Sequence, residues 1–167
     1  APLRLAWPGH FDRTDDVEEA WALALAARPA ADRRTLERAD AFGRERHGIQ
    51  MRRGSDTPYW VHPLRVAMTL MQWGISDRDM LVAALLHDTV EDAGGQSRLA
   101  DLRERFGDRV AEIVLGCTDT DTVPKPPWRA RKEAYIEHLK HASPSAWLVS
   151  ACDKLHNSRC IVADLRQ

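Results

Sequence analysis

The stretch 81–92 reads Leu-Val-Ala-Ala-Leu-Leu-His-Asp-Thr-Val-Glu-Asp. Six apolar residues lead into one histidine, His87, and three carboxylates, Asp88, Glu91 and Asp92. On a helix turning ~100° per residue these four side chains fall within an arc of roughly 140°. The apolar entry implies burial, so the acids are held close together and partly out of water. Each poorly solvated charge then costs several kcal/mol unless something positive offsets it, a metal ion, arginines or both. The plainer alternative is a solvated helix end where acids happen to cluster. Acids there oppose the helix macrodipole, which counts against that alternative.

Two further residues extend the set. His62 stands in Tyr59-Trp60-Val61-His62-Pro63, and Asp153 in Ala151-Cys152-Asp153-Lys154-Leu155-His156-Asn157. Taken alone, the histidine reads as a core or capping residue, and Lys154 or an arginine suffices as partner for the acid. Taken together, His62, His87, Asp88 and Asp153 offer two nitrogens and two oxygens. With positions left open for water, such a set suits Mn²⁺, Fe²⁺, Co²⁺ or Zn²⁺. A divalent ion of this kind polarises a phosphoryl oxygen and lowers the pKa of water. Glu91, one turn beyond His87, can stand beside that water without being a ligand. Arg52, Arg53, Lys125, Arg129, Arg131 and Arg159 are the candidates for binding phosphate oxygens. For Arg129 and Arg131 an ordinary surface position is the better reading. His138 and His141 read as a solvated helix face, His156 as packing or support, and Trp60, Trp128 and Trp147 as core.

The elements that position these residues are helical. The pattern predicts helices over 15–27, closed by Pro29, and over 32–46, with Leu36, Ala39 and Phe42 at helical spacing. A polar, basic loop spans 48–58. A third helix carries Pro63 in its first turn and ends at Gly74. The fourth is expected from 78 to about 92, begun by Asp77 and stopped by Gly94-Gly95. Short helices follow over 99–105 and 110–117, then a Thr-, Asp- and Pro-rich loop over 118–127. Helices over 128–141 and from Pro144 to about 165 complete the chain. The expected fold is all-α, in one domain: an N-terminal extension with one helix at 1–31, then a catalytic unit at 32–167.

Composition narrows the function classes. The chain has 167 residues, the size of one ordinary domain. With 24 basic against 25 acidic side chains, it lacks the excess positive charge of a dedicated nucleic-acid binder. No run reaches the ~20 apolar residues a membrane helix needs, and no leader pattern is visible. Three cysteines without a CxxC pair argue against a disulfide framework, and point to the cytoplasm.

The order His62, His87-Asp88, Asp153 resembles the HD-type metal-dependent phosphohydrolases. The match narrows with Arg52-Arg53-Gly54 before Thr57-Pro58-Tyr59, with His62-Pro63, and with His87-Asp88-Thr-Val-Glu91-Asp92. Phe106-Gly107 and Asp153-Lys-Leu-His-Asn157-Ser-Arg159 add to it. These resemble the hydrolase domain of RelA/SpoT homologues, from about residue 32 onward. Thr118-Asp119 through Pro124-Lys125 is most similar to the stand-alone small alarmone hydrolases. The resemblance implies an all-helical HD fold that removes the 3′-pyrophosphate of guanosine tetra- and pentaphosphate. It implies one Mn²⁺ per chain on His62, His87, Asp88 and Asp153, with Glu91 and Asp92 acting on the attacking water. It further implies nucleotide contacts from Arg52 or Arg53 and from Asn157; Lys125 and Arg159 join these as candidates. One or two helices beyond the segment that ends this chain are also implied. Two alternatives stay open: an HD phosphohydrolase for a nucleoside monophosphate or the 2′-phosphate of NADPH, and a degenerate nucleotide sensor without activity. The expected partner is a small-molecule nucleotide, and a homo-oligomer is compatible with the sequence.

Overall fold

A computed structural model describes residues 13–91, 95–120, 122 and 124–166. Among them lie eight helices: α1 (Thr14–Ala26), α2 (Ala30–His47), α3 (Val61–Gln72), α4 (Arg78–Leu86), α5 (Gly95–Phe106), α6 (Asp108–Cys117), α7 (Trp128–Leu139) and α8 (Pro144–Leu165). The all-α expectation holds for the described residues, whose one β feature is an isolated antiparallel bridge between Met51 and Pro58. None of these helices is long and apolar enough to cross a membrane.

The centre of the molecule follows from two segments that are buried on every side. Residues 80–86 of α4 and 61–70 of α3 are buried without a gap. A helix of that kind must sit inside a bundle. Accordingly α4 packs against α2, α3, α6 and α8, and α3 also packs against α8 and α1. Close approach depends on small residues. A Cβ on Gly116 of α6 would lie 2.7 Å from the Cβ of Ala146 on α8. α1 adds Val17, Trp21, Ala24 and Leu25 to the same core. Its Glu18 receives both terminal nitrogens of Arg44 from α2, at 2.7 and 3.1 Å.

Several boundaries fall where local chemistry places them. The Asp77 carboxylate accepts the Met80 N–H and starts α4, and the Ser143 hydroxyl accepts the Ala146 N–H and starts α8, with Pro144 next. Gly74, at φ 82°, follows the end of α3.

The fourth helix is shorter than its pattern predicts. It stops at Leu86, and residues 87–91 form turns. His87 Nδ1 lies 2.7 Å from the Ala84 carbonyl, and the Thr89 hydroxyl and N–H both donate to the Leu86 carbonyl. Side chains and i→i+3 bonds thus take the carbonyls that a continuing helix needs. His87, Asp88 and Glu91 therefore do not share one helical face, and Asp92 lies outside the described residues. Trp128 and Trp147 also depart from expectation, being 68% and 54% exposed rather than core. α7 buries only Tyr135, so it lies on the surface of the bundle. The 48–58 loop is more ordered than its composition suggests. Arg52 N–H donates to Thr57 O and Tyr59 N–H to Gln50 O, making a small hairpin.

Candidate active site

Three separate segments meet beside the core. The start of α3 supplies His62, the turn after α4 supplies His87 and Asp88, and the middle of α8 supplies Asp153. One donor atom each from His62, His87 and Asp153 lies within 4.8 Å of the others. His62 Nε2 is 2.9 Å from Asp153 Oδ1 and 3.5 Å from Asp88 Oδ2. His87 Nε2 is 3.1 Å from Asp88 Oδ2 and 3.6 Å from Asp153 Oδ1. Both rings are buried.

The electrostatics favour a positive centre. Burial opposes charge on both histidines and prevails at His62, pushing its pKa down to about 4. At His87 burial is outweighed by the Asp88 and Asp153 carboxylates, which hold it well above the usual histidine range. Burial would raise both acids. The facing imidazoles instead keep Asp88 and Asp153 well below the usual carboxylate range. Lys154, as foreseen, donates to Asp153 Oδ2.

The donor set fits a divalent cation. The Ala84 carbonyl can only accept, so it fixes a proton on His87 Nδ1; a cation that displaces the other ring proton then meets an Nε2 lone pair directed inward. That Nε2 is buried and has no hydrogen-bond partner, an orphan that a Lewis acid would satisfy. Two imidazole nitrogens and two carboxylates are the chemistry of borderline metals.

Around this cluster the structure gathers some predicted residues and leaves others aside. Asn157, one turn beyond Asp153, donates from Nδ2 to Asp153 Oδ1 at 2.7 Å and accepts from Arg52 Nη2 at 3.0 Å. Arg52 also lies 5.8 Å from the centre of the Tyr59 ring. Arg53 is exposed in the same hairpin. Arg159 is ~200° round α8 from Asn157, where its charge acts on Cys152. Glu91, 19% exposed, accepts the Asp119 N–H on Oε1 at 2.6 Å, and its Oε2 is 4.0 Å from Lys125 Nζ. Burial raises the Glu91 pKa, and the nearby Asp88 charge adds to this.

Two contributors were not singled out from the sequence. Tyr59 donates its hydroxyl to Asp88 Oδ2 at 2.6 Å. Asp119, its side chain 7% exposed, accepts from Arg131 and Lys132 at 2.6 Å each, tying α7 to the loop that holds Glu91. Arg131 is thus a half-buried partner rather than a surface arginine, whereas Arg129 pairs with Glu133 in solvent. Both lay inside quoted motifs, with no role given to either. Asp119 left no periodic signal.

Comparison with known proteins identifies the family. A family model described as an HD domain matches residues 39–167. The guanosine-3′,5′-bis(diphosphate) 3′-pyrophosphohydrolase MESH1 of Xenopus tropicalis is 41% identical over 132 residues, covering 78% of this chain and 71% of that protein. The protein of the same name from Homo sapiens is 43% identical over 126 residues, 74% of this chain and 67% of that protein. The guanosine-3′,5′-bis(diphosphate) 3′-pyrophosphohydrolase of Aquifex aeolicus is 34% identical over 126 residues, 75% of this chain but 18% of its own length. With its paired histidines and aspartates at the junction of three helices, the chain belongs to the HD-domain family, as a hydrolase of the RelA/SpoT-homologue type.

Proposed function

We propose that the chain hydrolyses the 3′-pyrophosphate of guanosine 3′,5′-bis(diphosphate) and of the corresponding pentaphosphate, using one Mn²⁺ held by His62, His87, Asp88 and Asp153. The observation that carries this reading is the inward, unpartnered Nε2 of His87 amid the second histidine and two aspartates. The activity for which relatives at 41–43% identity are named supplies the substrate. The bound ion would supply Lewis acidity toward a phosphoryl oxygen and toward the attacking water.

The chain's own groups do the rest. Glu91, whose burial raises its pKa, takes the proton of the water, with Asp92 supporting it. The water oxygen bonds to the phosphorus attached to the ribose 3′-oxygen, the bond between that phosphorus and the 3′-oxygen breaks, and the 3′-oxygen leaves with a proton. Pyrophosphate and GDP, or GTP, are the products. Arg52, bonded to Asn157, and Lys125, beside Glu91, offset phosphate charge. Arg53 and Arg159 are further candidates for phosphate, and Asn157 lines the nucleoside pocket. Residues 1–31 are an addition whose helix shares the core of the HD unit. The cytoplasm is the proposed compartment.

The test is a product assay on purified protein with Mn²⁺. Pyrophosphate released from guanosine tetraphosphate is the expected result. Orthophosphate released from a nucleoside monophosphate or from NADPH, with guanosine tetraphosphate untouched, overturns the substrate assignment.

A further inference from the structure

His62 has a second partner that the proposed chemistry does not use. Its Nδ1 lies 2.7 Å from Nδ1 of His156, the residue before Asn157, on the buried side of α8. The two rings are stacked, with centroids 4.9 Å apart and planes at 29°. Two ring nitrogens at this distance share one proton, so one of them donates and the other accepts.

Which one donates decides what His62 can bind. If His156 donates, the neutral His62 ring carries its own proton on Nε2. That proton then points at Asp153 Oδ1, 2.9 Å away, and no lone pair faces the cluster. If His62 donates, its Nε2 lone pair faces Asp88 and Asp153 and is ready for a cation. His156 must then carry its proton on Nε2, which lies 3.7 Å from Cys160 Sγ, a weak acceptor. The two histidines of the cluster are thus oriented by different devices. His87 leans on a backbone carbonyl, which can only accept. His62 leans on a side chain that can do either.

We propose that His156 is a positioning residue for the metal centre: as acceptor at Nδ1, it holds the His62 proton on Nδ1 and directs the Nε2 lone pair to the ion. This rests on the metal reading above and extends it to a residue outside the ligand set. Partners of this kind are worth about 10–100-fold in metal affinity.

The experiment titrates Mn²⁺ into the full chain stripped by a chelator. Wild type is compared with His156→Leu, which keeps the bulk and removes the acceptor, and with His156→Asn, whose carbonyl stands near the place of Nδ1. Expected are a dissociation constant ~10–100-fold weaker for His156→Leu and recovery of most of that loss by His156→Asn. Nitrogen-15 NMR of the Zn²⁺-loaded wild type should show His62 protonated at Nδ1. Should His156→Leu fail to fold, the NMR assignment and His156→Asn still decide. A His62 protonated at Nε2, or a folded His156→Leu binding Mn²⁺ as tightly as wild type, overturns this inference alone. A wild type that takes up no Mn²⁺ overturns the metal reading and this inference with it.

Discussion

Glu91→Gln separates the proton acceptor from the shape that holds it. The Asp119 N–H that donates to Glu91 Oε1 at 2.6 Å finds an oxygen in the amide too, so the loop contact survives. Exchanging a charge-assisted bond for a neutral one costs about 1 kcal/mol. Removing a carboxylate that burial already disfavours offsets part of it. Fold stability should therefore change by no more than about 1 kcal/mol. Catalysis should change far more. Losing a positioned general base costs about 10²–10⁴ in rate, roughly 2.7–5.5 kcal/mol of barrier. The assay is pyrophosphate release from guanosine tetraphosphate at saturating Mn²⁺, alongside Mn²⁺ titration and a thermal melt. A variant that keeps near-normal turnover refutes the role, leaving activation of the water to the ion or to Asp92. A variant that loses the ion shows instead that Glu91 is a ligand.

Arg52→Ala should raise KM for the nucleotide at least tenfold, and cost about 0.5–1.5 kcal/mol of stability through the lost bond to Asn157. Lost thermal stability with unchanged kinetics would reverse that assignment. Gly116→Ala forces a Cβ to within 2.7 Å of Ala146 and should cost about 1–3 kcal/mol in a thermal melt; an unchanged midpoint would show that α6 and α8 part freely. Burial pushes the Cys152 thiol up to about 12 and raises Cys117 as well. Thiolate appears only as pH rises toward such values, so at pH 8 about one Cys152 in ten thousand is reactive. Mass spectrometry after alkylation of native protein at that pH should find both residues unmodified, and labelling at the rate of an unfolded peptide would contradict their burial.

The clustering of His62, His87, Asp88 and Asp153 was legible because metal chemistry accepts few residue types, and these stand at intervals that a known family shares. Helix starts were legible at Asp77 and Pro144, where a side chain or a ring fixes the first turn. The end of α4 was not. Beyond Leu86 the residue types still suit a helix, and only the bonds from His87 and Thr89 back to Ala84 and Leu86 stop it. The role of Asp119 was hidden for a different reason. Its role comes from Arg131 and Lys132, which reach it only once α7 has docked. Trp128 misled because size was read as burial on a helix that buries a single tyrosine, and Trp147 because it stands on the outward side of α8, away from the buried Ala146 and Val149.

Asn157 presents its carbonyl to Arg52 and its amide nitrogen to Asp153, and turning it over would set donor against donor and acceptor against acceptor. A single side chain therefore joins the guanidinium assigned to the nucleotide and the carboxylate assigned to the ion. Two ligands that bias one shared element are coupled, and the coupling is reciprocal. Whatever factor the ion changes the affinity for the nucleotide by, the nucleotide must change the affinity for the ion by the same factor.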